Sequence, residues 1–200
     1  MSGNGEGQIG RLIWVRHGES EGNRDRRFTH SPEVPLTDAG REQARVAAMR
    51  IASRFAPALV IASPYARARE TAHIIAAALA LPLQIDPDIR EQSLGRFAGL
   101  PYESVLGDPD FDPARRWEWR PPEGEALVDV QSRVGRALAR FARAHPCREV
   151  VVVAHAGVMQ AVWASVTGSW HNAPRTPNTG ILVVEHQAGR YRQAQLFEEE

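Results

Sequence analysis

The sequence contains no lysine, and all 24 of its basic residues are arginine. This absence excludes Schiff-base chemistry on a lysine amine and any phosphate-binding loop that requires a Gly-Lys-Ser/Thr motif. Cys147 is the single cysteine, so no disulfide forms within the chain, which is typical of proteins from reducing compartments. Acidic residues also number 24, and a formal net charge of zero does not favour binding to nucleic acid.

Long apolar runs are also absent. No stretch approaches the ~18 residues that a membrane helix needs, and the opening letters MSGNGEGQIG lack the apolar core of a signal peptide. We therefore expect a cytoplasmic protein without membrane contact, with residues 1–8 forming a flexible tail. The stretch Gly5–Gly10 fits G-x-G-x-x-G, but it precedes a strand pattern, whereas dinucleotide-binding loops follow one.

Strand and helix patterns alternate along most of the chain. Apolar runs of strand length lie at residues 9–16, 58–62, 82–86 and 149–154. Helical patterns occupy residues 36–55, with Thr37 as the N-cap, and residues 63–79, 125–145 and 157–168. The segment 180–196 predicts a closing hairpin around Gln187, Ala188 and Gly189. This alternation favours an α/β fold, namely a three-layer sandwich with a mainly parallel sheet and helices on both faces.

The length of 200 residues suits one catalytic domain, which we place at residues 9–197. Residues near 88–122 contain Gly, Pro and aromatic residues without clear periodicity, apart from a short helix expected near Glu103. A long segment of this kind predicts an irregular, cap-like excursion over a functional site.

Polar side chains follow four of the predicted strands at the point where each strand ends. Arg16 and His17 close the first strand, and Arg67 follows the second. Glu91 comes after the third, and His155 ends the strand EVVVVA. Because ligands of parallel sheets bind beyond the carboxyl ends of the strands, we expect these side chains to share one edge.

Two arginines and two histidines near helix starts predict an anion site. Ser63 and Pro64 are predicted as the N-cap and first residue of one helix, and another helix follows His155; helix N-termini attract anions. The guanidinium fork of arginine matches phosphate oxygens. With neither lysine nor a G-x-S-x-G serine motif available, His17 is the best candidate nucleophile, and Glu91 is a candidate proton donor.

Several motifs together resemble the histidine phosphatase superfamily, also called the phosphoglycerate-mutase-like family. They are RHGES, Asn23, SPYARARETA, Glu91 ahead of Gly95 and Gly99, and AHAG. The resemblance covers roughly residues 12–158, and LTDAGREQA and PPEGE support it. R-H-G alone is a weak signal, but R-H-G-E, S-P-x-x-R-A-x-x-T and A-H-A-G in this order are specific together.

The resemblance implies that His17 attacks a phosphoryl group and becomes a phosphohistidine. Arg16, Arg67 and His155 would bind the phosphoryl oxygens, with Asn23 as a further phosphate contact. We expect the neighbouring positive charges to lower the pKa of His17 from its ordinary value of about 6.5, which keeps the ring neutral for attack.

The resemblance also implies that Glu91 protonates the leaving alkoxide and then deprotonates the hydrolytic water. The implied substrate is a small-molecule phosphate ester, and neither a metal ion nor an organic cofactor is expected. The remaining five histidines show no metal-ligand spacing.

Departures from the family pattern indicate which branch of the superfamily the chain resembles. Phytases and acid phosphatases of the superfamily carry an aspartate directly after the second histidine, whereas this chain has Ala156, so Glu91 is the better acid. PPEGE is similar to the phosphatase members, but the doublet Arg115–Arg116 before Pro121–Pro122 resembles a mutase segment. Cofactor-dependent phosphoglycerate mutase activity therefore stays open, as does a non-catalytic module that binds phospholigands.

Some residues admit two interpretations. Glu125 is either an ordinary carboxylate of a first helical turn or a support for the site. Arg24, Arg26 and Arg27 either form a solvated face or contact a substrate carboxylate or second phosphate. Phe97, Trp117 and Trp119 either pack in the core or form part of the pocket wall. A homodimer also stays open, because the sequence carries no pattern for oligomeric state.

Overall fold

The computed structural model describes residues 9–187 and 190–197. Within these ranges six strands form one sheet, namely β1 Gly10–Arg16, β2 Leu59–Ala62, β3 Leu83–Ile85, β4 Glu149–Ala154, β5 Ile181–Gln187 and β6 Arg190–Phe197. The α-helices of the same ranges are α1 Glu21–Arg24, α2 Asp38–Arg54, α3 Ala66–Leu79, α4 Leu127–Ala144 and α5 Ala156–Thr167. Each of them is too short or too polar to cross a membrane.

The strands lie in the order β3-β2-β4-β1-β5-β6. The first four in this order are mutually parallel, whereas β5 and β6 add an antiparallel edge next to β1. The predicted mainly parallel sheet is therefore confirmed, and so is the closing pair of strands. The predicted hairpin turn at Ala188 and Gly189 lies outside the described residues.

Strand β1 shows why the sheet is covered on both faces. Its side chains alternate between two cores: Leu12 and Trp14 pack with residues of α4 and α5, whereas Ile13 and Val15 pack with residues of α2 and α3. All four side chains are fully buried. Continuous apolar runs of this kind belong to strands enclosed between two helical layers, which confirms the predicted three-layer sandwich.

The predicted start of α3 is wrong. The helix begins at Ala66, after Tyr65, and no side chain caps its N-terminus. The hydroxyl of Ser63 instead lies 2.7 Å from Nε2 of His155 and belongs to the site at the sheet edge. Thr37, by contrast, is the N-cap of α2 as predicted, because its Oγ1 accepts a hydrogen bond from the amide of Gly40.

Residues 86–126 form the irregular segment expected from the sequence. It contains neither strand nor α-helix and consists of loops and four 3₁₀ turns, at Pro87–Ile89, Gly95–Phe97, Tyr102–Gly107 and Pro113–Arg115. The third turn replaces the short helix predicted near Glu103. Backbone hydrogen bonds between Phe28 and residues 99–100 join this excursion to the loop after α1. The excursion is thereby held beside the carboxyl end of β1.

Candidate active site

The predicted edge exists because β1, β2 and β4 end side by side. Arg16 pairs with Ala154 across β1 and β4. The amide of His17 donates to the carbonyl of Ala154, and the amide of Ser63 donates to the carbonyl of Val153, each at 3.0 Å. The ring centroids of His17 and His155 are consequently 5.2 Å apart. Parallel pairing alone brings together side chains from opposite ends of the sequence.

The hydrogen bonds of His17 define its tautomer. Its Nδ1 lies 2.7 Å from the carbonyl oxygen of Gly18, which only accepts, so Nδ1 carries the proton. Nε2 is therefore unprotonated, and it accepts a hydrogen bond from Nε of Arg67 at 3.1 Å. This tautomer directs the lone pair of a buried histidine toward a guanidinium group.

Burial lowers the pKa of His17 well below 6.5, and the positive charges of Arg67 and Arg16 lower it further. The predicted direction is therefore correct, but burial is the larger cause. A neutral ring at neutral pH retains the lone pair that nucleophilic attack requires.

Three buried polar atoms near His17 lack a hydrogen-bond partner among the described residues. They are Nε of Arg16, Nη1 of Arg67 and Nδ1 of His155. The guanidinium of Arg16 is anchored by Nη1, which donates to the carbonyl of Thr176 at 2.8 Å. Buried donors normally have partners, so such a cluster is typical of a site that receives an acceptor-rich anion.

Glu91 lies in the cavity wall, next to the N-terminus of α5. One carboxylate oxygen accepts a hydrogen bond from the amide of Gly157 at 3.3 Å, and the other accepts one from the amide of Gln92 at 2.9 Å. A Cβ atom on Gly157 would lie only 2.6 Å from the Glu91 Oε1 atom. The absence of a side chain at residue 157 thus lets the carboxylate approach the helix.

Arg133 of α4 holds the backbone that carries Glu91, and sequence reasoning missed it. Its guanidinium donates to the carbonyls of Asp88, Arg90 and Glu91 at 2.8, 2.7 and 3.1 Å, and to both carboxylate oxygens of Glu125. An arginine on the otherwise apolar buried face of α4 is the signal that could have identified it. Glu125 is therefore a support for the site and precedes α4.

Burial opposes ionisation of Glu125, but hydrogen bonds from Arg133 and the amide of Ser93 outweigh it and lower the pKa of this carboxyl. The Glu125 carboxylate is thus charged when it pairs with Arg133. The pair fixes the start of the excursion on α4.

Asn23 of α1 lies in a network that links the segment after β1 to the excursion. Its Oδ1 accepts from Nδ2 of Asn178 at 3.1 Å, and its own Nδ2 donates to the hydroxyl of Tyr102 at 3.1 Å. Nδ2 of Asn178 also donates to the carbonyl of His17 at 3.0 Å. Asn178 and Tyr102 were missed because neither belongs to a periodic segment.

These groups surround an open cavity of about 550 Å³. Its wall includes Arg16, His17, Asn23, Arg67 and Glu91, as well as Tyr65, Tyr102, Gln160, Arg175 and Thr176. His155 is fully buried behind this wall, next to the ring of His17. The structure thus brings all six predicted site residues together.

The other arginine and aromatic residues that the sequence suggested for the site lie outside the cavity wall. Arg24 pairs with Asp25 on the surface at 2.8 Å, and none of Arg24, Arg26 and Arg27 belongs to the described cavity wall. Trp119 is buried and packs edge-on against Phe97, while Trp117 stacks on Trp170 with centroids 6.1 Å apart. Trp117 packs against the core that contains α4 and α5, and none of Phe97, Trp117 and Trp119 belongs to the cavity wall.

In the part of the chain that the structure describes, no group of three or more His, Cys, Asp and Glu side chains is arranged to hold a metal ion. The cavity is instead lined by the guanidinium groups of Arg16 and Arg67, which are hydrogen-bond donors. Such donors suit an anion.

Residues 12–199 match the model of the histidine phosphatase superfamily (branch 1). The chain is 34% identical over 178 residues to phosphoglycerate mutase-like protein 4 of Arabidopsis thaliana, a match that covers 86% of this chain and 77% of that protein. It is also 34% identical over 174 residues to a glucosyl-3-phosphoglycerate phosphatase of Mycolicibacterium vanbaalenii, covering 80% and 76%.

A solved structure is similar over nearly the whole chain. It is a mycobacterial glucosyl-3-phosphoglycerate phosphatase in complex with VO3, which shares 28% identity and a TM-score of 0.82. The match covers 93% of this chain and 96% of that one.

Proposed function

Since the chain belongs to the histidine phosphatase superfamily (branch 1), we propose that it hydrolyses small phosphate monoesters through a phosphohistidine at His17. Phosphomonoesterase activity is what the family and the phosphatases among its relatives support. The observation that carries the choice of nucleophile is the unprotonated Nε2 of His17, 3.1 Å from the Arg67 guanidinium in a cavity wall rich in unpartnered donors.

In the first step, Nε2 of His17 attacks phosphorus, so that a P–N bond forms while the ester P–O bond breaks. Glu91, in its protonated form, gives its proton to the departing alkoxide oxygen. Arg16, Arg67 and His155 stabilise the charge on the phosphoryl oxygens, and each well-placed donor contributes about 3 kcal/mol to the transition state.

In the second step, a water molecule attacks the phosphorus atom of the intermediate. Glu91 accepts a proton from this water, the P–N bond breaks, and inorganic phosphate and neutral His17 are released. Electrostatic stabilisation and positioning dominate phosphoryl transfer, which fits a site built mainly from fixed cationic donors.

The test is phosphate release from a panel of phosphate esters by the wild type and the His17→Ala variant. We expect the variant to lose at least about 1,000-fold in kcat, as nucleophile removal does in other covalent mechanisms. His73→Ala is the matched control, because this exposed histidine of α3 lies outside the cavity wall. Full activity of the His17→Ala protein would overturn the assignment.

Trapping of the intermediate tests the covalent step separately. Acid-labile label from a radiolabelled ester should appear on the wild type and be absent from the His17→Ala variant. A protein that binds the ester but neither acquires label nor releases phosphate would instead be a non-catalytic phospholigand-binding module.

Phosphoglycerate mutase activity is the second candidate, since the mutase-like relative from Arabidopsis thaliana matches most of the chain. The products separate the two activities. Incubation with 3-phosphoglycerate should release inorganic phosphate, whereas accumulation of 2-phosphoglycerate at constant total ester would favour the mutase.

We further propose that residues 9–197 form one catalytic domain that works in the cytoplasm, in line with the single cysteine. Limited proteolysis should then leave one stable core fragment. Two stable fragments separated within residues 88–122 would contradict the single domain.

A further inference from the structure

We infer that Ser63 is a positioning residue, because its hydroxyl keeps the ring proton of His155 on Nδ1 and so makes this nitrogen a donor to the phosphoryl group. The inference deepens the proposed phosphatase function and rests on it. Ser63 acts through His155 and does not itself contact the substrate.

The contact between the two residues is short and buried. Oγ of Ser63 lies 2.7 Å from Nε2 of His155, and both residues are 0% exposed. Ser63 follows β2 and His155 follows β4, which are neighbouring parallel strands of the sheet. The contact is therefore built by the same strand pairing that forms the site.

The surroundings of Ser63 decide which partner supplies the proton of this hydrogen bond, since a hydroxyl both donates and accepts. Besides His155, the described residues offer its Oγ only the amide of Tyr65, at 3.4 Å, and an amide N–H can only donate. The hydroxyl proton thus has one acceptor, Nε2 of His155. Because a buried donor without an acceptor is costly, Ser63 donates and Nε2 carries no proton.

The proton of the His155 ring is consequently on Nδ1. Burial lowers the pKa of His155 well below 6.5, and the charge of Arg67 lowers it further, so the ring is neutral near pH 7 and has a single N–H. Nδ1 is buried and has no hydrogen-bond partner among the described residues. Since Ser63 occupies Nε2, only Nδ1 is left to bind a phosphoryl oxygen, and it does so only as a donor.

His17 and His155 therefore share a tautomer but present different nitrogens to the phosphoryl group. In His17 the carbonyl of Gly18 holds Nδ1–H, which leaves the lone pair of Nε2 for attack. In His155 the hydroxyl of Ser63 holds Nε2, which leaves Nδ1–H as the donor. The His155 ring also packs edge-on against the rings of His17 and Tyr65, with centroids 5.2 and 5.3 Å away. Two neighbouring neutral histidines thus supply a nucleophile and a hydrogen-bond donor.

Nitrogen-15 NMR of the wild-type protein tests the tautomer directly, because protonated and unprotonated ring nitrogens have well-separated chemical shifts. Near neutral pH we expect His155 to be protonated on Nδ1 and unprotonated on Nε2, with its signals assigned by their loss in His155→Ala. A protonated Nε2 would overturn the inference. The measurement needs no turnover, so its failure is distinguishable from failure of the proposed phosphatase function.

Inorganic phosphate is the probe for the donor role of His155. Its addition should shift the Nδ1 proton signal of His155 in the wild type. If backbone amide signals of the site report bound phosphate while this proton signal stays unchanged, the donor role is wrong.

Removal of the hydroxyl tests the positioning. Ser63→Ala should lower kcat about 10- to 100-fold, less than the roughly 100- to 1,000-fold cost of losing a donor outright, because some molecules still carry the proton on Nδ1. The NMR spectrum of this variant should show part of the protein with His155 protonated on Nε2. Ser63→Thr retains a hydroxyl and should restore both the tautomer and most of kcat.

Ser165→Ala is the matched control, because it removes a hydroxyl that donates to the carbonyl of Ala161 within α5, outside the cavity wall. Its kcat should stay within about 3-fold of the wild type. The same small change in Ser63→Ala would overturn the inference. A large loss in Ser63→Ala with the tautomer of His155 unchanged would also overturn it, since the hydroxyl would then act in another way. The tautomer of the wild type remains decisive even if a variant does not fold.

Discussion

Gly157 is the residue on which the position of Glu91 depends most directly, and replacing it by alanine tests that dependence. The added Cβ would lie 2.6 Å from Oε1 of Glu91 and 3.1 Å from a methyl carbon of Leu127. To restore an ordinary contact, the carboxylate must withdraw by about 0.5–1 Å, and a displacement of about 1 Å costs on the order of 100-fold in rate. The backbone of α5 tolerates alanine, so the change acts on the acid.

The assay compares two leaving groups. An alkoxide such as that of glycerol 3-phosphate needs a proton as it departs, whereas p-nitrophenolate leaves without one. Gly157→Ala should therefore lower kcat by about 100-fold for glycerol 3-phosphate and by less than about 10-fold for p-nitrophenyl phosphate. Glu91→Gln should show the same selective loss.

Gly135→Ala on α4 is the matched control, because the nearest side-chain atom to its new Cβ, Oγ of Ser165, is 3.9 Å away. It should keep wild-type kinetics, and thermal unfolding should show that both variants remain folded. Wild-type hydrolysis of glycerol 3-phosphate by Gly157→Ala would refute the reasoning that places Glu91 as the acid.

Further expectations concern stability. Arg133→Met should cost about 3–5 kcal/mol in urea unfolding, because its buried ionic partner and three carbonyls lose their donor; a loss below about 1 kcal/mol would contradict this. His17 and His155 have lowered pKa values when folded, so the unfolded chain takes up protons first below about pH 6.5. Stability should fall as the pH decreases from there, by up to about 1.4 kcal/mol per unit for each histidine, and more shallowly in His17→Ala; an unchanged slope would count against it. Gly40→Ala would overlap the carbonyl oxygen of Glu19 and should cost about 1–3 kcal/mol, as measured by thermal unfolding, whereas wild-type stability would show that the loop yields easily.

The sequence predicted most of the sheet edge because its signals are local. A run such as VVVV in β4 is typical of a strand buried on both faces, and parallel strands place Arg16, His17 and His155 at one edge. The start of α3 was misassigned because Ser63 and Pro64 have the residue types of a helix start, whereas a tertiary contact with His155 engages the serine hydroxyl.

The supports of the site could not be predicted in this way. Arg133 contacts carbonyls 42–45 positions earlier in the chain, and Asn178 contacts the carbonyl of His17 across 161 positions. Their partners lie in loops and 3₁₀ turns, which have no periodicity that a sequence pattern can reveal.

By itself, the sequence determined the α/β class, the strand ends and the residue types that face one another at the sheet edge, because burial imposes periods of two and 3.6 residues on the chain. Only the tertiary structure decided which tautomer His17 adopts and how Gly157 and Arg133 hold Glu91. These features depend on hydrogen bonds and charges between segments that are distant in the sequence. Such segments come close together only when the helical layers pack against the sheet.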